Sequence, residues 1–468
     1  MVHKKQSKSI ALIILILLFH TSFFIAVSGE SIVSSPTVIS PFNFPYDIAY
    51  SEKADALIIA DSQNHRICSL NLKTLKITTI AGTTKGIDRF GFPGGGYVDG
   101  EAKKAMFNRP KGIAVAESGA IIVADTGNHA IRQIYDGKVT TIAGGKTAGY
   151  KDGKGTKADF QNPTGVAVDD KGNIFVSDTL NNVIRMIDTN GNVSTYAGKK
   201  GDTNILNEPV GLVIDKDGVL YAADGGNHQI KRIASKDKVE TLAGIHFLKD
   251  KESGYWVGGF INGFPEKSYF NFPKGIALKD DGTLLISDTY NHVIRAIDGS
   301  KVFTVVGAGV AGEDFDNKYV SYLDGPVGIT YAKGTLFIAD QWNNRIILIP
   351  DKGKYLTAID AMEPKESELL TFIDNKEIVF PDVQPSVTEG EIRIPIRAVG
   401  EMWGAEVQWN QEEKLVILEK GEIRIELSLE EGDFIVLDGR SLVSPQALKE
   451  KLGLDVKWLD EYKIISIQ

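Results

Sequence analysis

Six times along this chain an apolar run ends in Asp, crosses a polar turn containing Asn, and resumes on an aliphatic residue. The copies are IIADSQNHRI (58–67), IIVADTGNHAI (121–131), IFVSDTLNNVI (174–184), LYAADGGNHQI (220–230), LLISDTYNHVI (284–294) and LFIADQWNNRI (336–346). Their aspartates are Asp61, Asp125, Asp178, Asp224, Asp288 and Asp340, spaced 64, 53, 46, 64 and 52 residues apart. A fixed unit with loops of variable length between copies excludes one irregular core and requires a repeat architecture.

Each copy is preceded by a Pro-x-Gly start: PKGIAV (110–115), PTGVAV (163–168), PVGLVI (209–214), PKGIAL (273–278) and PVGIT (326–330), with PYDIAY (45–50) a weaker version in the first. A further apolar run follows four of the kernels and ends in Ala-Gly, as in VTTIAG and VSTYAG. Turn sequences such as DDKGN (169–173) and KDDGT (279–283) separate the first run from the second. Four short strands per unit, repeated six times, predict a β-propeller, which protects its sheet edges by radial repetition.

The kernel residues resemble the NHL repeat, with Asn-His kept and the following position variable. The resemblance covers about residues 36–360 and implies fold, not function. In this reading the Asp closes the second strand and its carboxylate is expected to accept N–H groups of the turn that follows. Asn at the fourth position (Asn64, Asn128, Asn181, Asn227, Asn291, Asn343) is expected in the left-handed conformation. His65, His129, His228 and His292 follow, replaced by Asn182 and Asn344 in two copies. That exchange suits hydrogen bonding and argues against a metal-ligand role. Arg132, Arg185, Arg295 and Lys231 are expected to pair with acidic neighbours.

Asp125-Thr126-Gly127 has the form of an aspartic-protease loop. That chemistry needs two such carboxylates sharing a proton, whereas six aspartates spread round a ring and only one precedes Thr-Gly. Asp125 therefore reads as turn chemistry. The chain has one cysteine, Cys68, which excludes an internal disulfide and a Cys-based zinc site. No metal site and no cofactor is expected. GGG (94–96) has no following Lys-Ser/Thr and carries no phosphate-loop signal.

Candidate ligand contacts are residues that differ between copies. The third kernel residue runs Gln63, Gly127, Leu180, Gly226, Tyr290, Trp342, and Arg109, Lys111 and Lys274 sit at the start of inner strands. Trp256 belongs to the long insertion 245–271, and Phe90, Phe92, Tyr97 and Tyr255 add aromatic surface. Exposed rings beside basic groups suit a protein, peptide or cell-wall glycan, or an anionic ligand. A net charge of −9 speaks against nucleic acid.

Lys4, Lys5 and Lys8, the apolar run Ile10–Phe19 and Ala26-Val27-Ser28 have the layout of a secretory signal peptide over 1–28. It places the protein outside the cytoplasm, secreted or at the cell surface, with membrane attachment only if the segment is not cleaved. Residues 361–367 read as a linker. Beyond it, Pro395, Gly404 and Trp409 recur as Pro445, Gly453 and Trp458, each set framing a helix and a following strand. Residues 368–468 thus resemble the copper amine oxidase N-terminal-like domain, a small α+β stalk module of exported proteins. No copper site follows, since residues 350–468 contain neither His nor Cys.

The expected molecule is mostly β, a six-bladed β-propeller followed by a small α+β domain. Its expected role is non-catalytic binding by one propeller face. The alternative is a propeller-type lyase or hydrolase acting in the central channel with a bound metal, for which Lys111, Lys274 and His246 are the residues that break the repeat.

Overall fold

The computed structural model describes residues 36–351 and 370–467, apart from 88–90, 146, 247–248, 251–252, 314–321, 374–375, 378–384, 389–390, 438–439, 455 and 460–463. The leader 1–28, the linker 361–367 and Phe90 lie outside the described residues.

Six antiparallel sheets stand where the six kernels are. Blade one comprises Pro45–Ser51, Ala56–Asp61, Arg66–Asn71 and Ile77–Ala81. Blades two to five begin at inner strands Pro110–Val115, Pro163–Val168, Pro209–Ile214 and Pro273–Leu278 and add three strands each in chain order. Blade six holds Pro326–Ala332, Thr335–Asp340 and Arg345–Pro350, and its outermost strand is Thr37–Ile39 from the other end of the chain. Thr37 pairs with Leu348 and Ile39 with Ile346, which closes the ring. The inner strands contact one another in a closed circle, blade one touching both two and six.

The second strand of each blade is buried nearly throughout, and the third strand over most of its length in blades two to six, because both faces are covered. Alternation divides their side chains between two neighbours. Leu57 and Ile59 pack toward Phe337, Ala339 and Leu348 of blade six, while Ile58 and Ala60 pack toward Ile113 and Val123 of blade two. Equivalent apolar wedges fill the other joints. Cys68 lies inside the first wedge, where burial pushes its thiol up to about 11.

At the axis the inner strands come so close that five of them require glycine. A Cβ on Gly112, Gly165, Gly211, Gly275 or Gly328 would lie inside contact distance of the next blade's backbone. Blade one has Asp47 at this position.

The C-terminal domain repeats a strand–helix–strand–strand unit. Glu391–Pro395, the helix Ile396–Met402, Glu406–Asn410 and Leu415–Lys420 form the first copy. Arg440–Val443, the helix Pro445–Leu452, Val456–Leu459 and Ile464–Ile467 form the second. Gly404 and Gly453, at φ 83° and 71°, end the two helices. Ile394, Val399, Leu418, Leu448 and Ile465 share one core.

Candidate functional site

The kernel turns and the loops entering each blade share one face, and their bonding is sixfold. Each kernel Asp accepts a backbone N–H from the residue two before the inner-strand Pro, through Oδ1. The donors are Asn43, Asn108, Gln161, Asn207, Asn271 and Asp324, at 2.6–2.7 Å. The carboxylate therefore ties down the loop before the blade, which corrects the expectation that it caps the turn after it. Oδ2 accepts from the kernel Asn amide at 2.8–2.9 Å.

The left-handed residue is the one after that Asn: His65, Asn182 and His228, for example, have φ 53°, 59° and 55°. This too differs from the expectation, and its cause is the single 3-10 turn from the residue after Asp to the Asn, which this residue terminates. His and Asn both tolerate that conformation, and both carry an acceptor. Nδ1 of His65, His129, His228 and His292 and Oδ1 of Asn182 and Asn344 accept the N–H of the residue just before the next inner-strand Pro, from Arg109, Asn162, Phe272, Gly325, Glu208 and Phe44 respectively. Nε2 of His65 and His228 donates to the Pro93 and Trp256 carbonyls. Each imidazole is held neutral, and burial lowers all four pKa values, that of His228 to about 4.

Beneath the turns of blades two, three and five lies a buried guanidinium. Arg132, Arg185 and Arg295 bind kernel Asp125, Asp178 and Asp288 and lie between two rings each, Tyr97/Phe107, Tyr150/Phe160 and Phe260/Phe270, at 4.8–5.4 Å. Asp99, Asp152 and Asn262 reach the same arginines from the entering loops. Lys231 takes this place in blade four, and Arg66 and Arg345 serve blades one and six. Burial nonetheless pushes Asp125, Asp178, Asp224 and Asp288 up to about 6. Tyr97, anticipated as binding surface, is committed to this packing.

What breaks the symmetry gathers at the channel mouth on this face. The residue after the inner-strand Pro is Tyr46, Lys111, Thr164, Val210, Lys274 or Val327. Tyr46 of blade one packs with Val327 of blade six and reaches Val210 of blade four, closing the axis. Lys111 Nζ lies 4.6 Å from the centre of the Tyr46 ring, and Lys274 Nζ lies 4.9 Å from that of Tyr290 and 5.5 Å from that of Phe272. Blades two and five stand opposite in the ring, yet the lysines are near enough for Lys111 to disfavour the charge on Lys274. Burial lowers both pKa values to about 8, with Arg109 adding to the effect on Lys111.

Around Lys274 the rings continue outward. Phe272 and Tyr290 are 5.4 Å apart, and Tyr290 stacks on Trp342 at 5.9 Å and 25°. Tyr290 and Trp342 are 43% and 37% exposed.

The sequence-derived candidates thus divide. Lys111, Lys274, Tyr290 and Trp342 converge, and Arg109 adjoins them. Trp256 does not: its ring packs on His246 at 3.9 Å and under Lys249, within its own loop. His246 goes with it, half-buried. Gln63 and Leu180 present side chains on the same face, in blades one and three, and among the described residues neither has a bond or ring contact to the lysines. Their amides are fixed on the Asn43 and Gln161 carbonyls.

Three contributors were missed in the sequence: Tyr46, Phe272 and Asp47. Asp47 accepts the N–H groups of Ile48 and of Ile113 on blade two, both at 2.9 Å, and burial pushes it up to about 7. Its signal was PYDIAY, the one start without glycine. Below the Tyr46 plug the channel holds a cavity of about 680 Å³, walled by aliphatic residues such as Ile113, Val166, Leu212, Ile276 and Ile329. It extends to the exposed turns of Lys216, Asp217, Asp280 and Asp281 on the opposite face. Among the described residues no group of three or more His, Cys, Asp or Glu could hold a metal ion.

Two family models agree with this architecture. The NHL repeat model matches residues 107–134, 160–185 and 206–233, and the copper amine oxidase N-terminal domain model matches 372–467. The chain is 34% identical over 159 residues to Protein SUPPRESSOR OF QUENCHING 1, chloroplastic, of Arabidopsis thaliana, across 34% of this chain and 15% of that protein. It is 28% identical over 279 residues to NHL repeat-containing protein 2 of Bos taurus, across 52% of this chain and 38% of that one. It therefore spans well under half the length of these curated relatives. Among solved structures, an auxiliary nutrient binding protein from Bacteroides thetaiotaomicron aligns at TM-score 0.49 and 15% identity, over 66% of this chain and 69% of that one. A virginiamycin B lyase from Staphylococcus aureus aligns at 0.43 and 16%, over 67% and 98%.

Proposed function

We propose that this chain, which carries NHL repeats in a six-bladed propeller and a copper amine oxidase N-terminal domain, is an extracytoplasmic binding protein that offers its kernel face to a protein, peptide or cell-wall glycan. The observation that carries this reading is the stacked pair Tyr290–Trp342, both exposed, beside Lys274. The repeat does not call for rings at these positions, since Gly127 and Gly226 occupy them in blades two and four. Flat rings at an open mouth suit sugar faces and planar side chains. The C-terminal domain serves as spacer or attachment to the envelope.

The test is binding of the full chain to isolated Gram-positive cell walls and their soluble fragments, beside Tyr290→Ala, Trp342→Ala and a chain ending at Asp351. Each aromatic truncation is expected to weaken binding about tenfold or more. Unchanged binding by both variants would sink the reading.

Asp47 favours a second reading, chemistry within the channel. A buried carboxyl poised near neutrality beside an apolar cavity has the form of a general acid or base. A screen of esters and lactones against wild type and Asp47→Asn that finds no Asp47-dependent turnover would remove it.

A further inference from the structure

We infer that the mouth of the channel holds one compact anionic oxygen group, a carboxylate or a phosphate, between Lys111 and Lys274 and in front of Tyr46. This rests on the kernel-face reading above and names the ligand chemistry that face selects.

Both lysines are half-buried, and among the described residues neither has a carboxylate or hydrogen-bond partner. Their ammonium groups lie against the faces of Tyr46, Phe272 and Tyr290, contacts that steady a cation while leaving its N–H groups unspent. They stand on opposite blades, and Lys111 still disfavours the charge on Lys274, as two cations bordering one mouth do. Arg109 adds a third positive charge beside Lys111. Glu208 is the acid that acts on Lys274, and its carboxylate already accepts the Tyr255 hydroxyl at 2.8 Å. The fold does not require these charges, because the equivalent positions are Tyr46, Thr164, Val210 and Val327. Two partly desolvated cations that repel each other destabilise the free protein, and an anion relieves that cost. Tyr46, Val210 and Val327 cluster across the axis and Lys274 lines the cavity with them, so the anion rests at the top of the channel.

The test is calorimetric titration of the full chain with inorganic phosphate, trigalacturonate and neutral tri-N-acetylglucosamine, in wild type, Lys111→Met, Lys274→Met and the double variant. At least one anion is expected to bind wild type, and each single change to weaken it about tenfold. The neutral trisaccharide is expected to respond to neither change. The variants should melt no lower than wild type, since methionine keeps the packing and removes a charge. Preference for phosphate would point to phosphodiester polymers as the source, and preference for trigalacturonate to uronic acids. The inference is overturned if neither anion binds, or if both bind the double variant as tightly as wild type. Wall binding that still depends on Trp342 would then leave the kernel-face reading standing. Anion binding without any wall binding would remove the cell wall as the ligand's source and keep this inference.

Discussion

Nδ1 of His228 in blade four accepts the backbone N–H of Phe272 at 2.8 Å, one residue before the inner strand of blade five. Phe272 is itself left-handed, at φ 53°, and its ring meets Tyr290. One imidazole acceptor thus joins a repeat position to the aromatic surface where ligand contact is proposed.

Because Asn182 and Asn344 make the same bond, His228→Asn is expected to fold with little loss at pH 8. The difference lies in acid. His228 is depressed from its ordinary value to about 4, so the unfolded chain takes up a proton that the native state refuses. This destabilises wild type as pH falls from about 6.5 toward 4. Denaturant midpoints across that range should drop less steeply in the variant, and parallel slopes would contradict the neutral tautomer.

Asp47 works in the opposite sense. Its folded pKa is raised to about 7, so the native state binds a proton more tightly than the unfolded chain, and stability declines as pH rises from about 4 through 7. Asp47→Asn removes that decline and forfeits one of two accepted N–H bonds, about 1–2 kcal/mol at low pH. Its stability relative to wild type should therefore improve with rising pH in urea melts.

Removing a sandwiched guanidinium leaves a buried carboxylate without its cation. Arg295→Met is expected to cost about 3–5 kcal/mol, read as a lowered melting temperature. Arg66→Met, at a side chain 33% exposed, should cost clearly less.

The axial glycines admit no side chain. Gly275→Ala would drive a Cβ into the Val327 carbonyl oxygen and is expected to cost about 3 kcal/mol or more. Gly218→Ala, whose Cβ would meet nothing within contact range, pays only for its positive φ. Comparing the two melts separates axial crowding from turn strain.

The ring itself was legible in the sequence, because each Asp kernel closes a hairpin and the Pro-x-Gly start marks the axis. The bonds inside the kernel were less so. Its Asp and His partners lie 16 to 44 residues away, in loops whose common feature is the two residues before Pro. Lys111 and Lys274 were legible as channel residues because they break the repeat at the inner-strand start, but their contacts with the flanking rings were not, since those depend on loops and blades meeting across a channel. Tyr46 was invisible for the same reason: its contacts are in blades four and six.

Thr37–Ile39 lies antiparallel beside Arg345–Pro350, so the chain enters and leaves the propeller at neighbouring points on blade six. A load pulling those two points apart would meet the ladder bonds one at a time, opening them like a zipper without shearing them together. Tension carried through the C-terminal domain alone would leave that seam unstressed. Held from one end the ring is a rigid head; held from both, its weakest joint is the one that closes it.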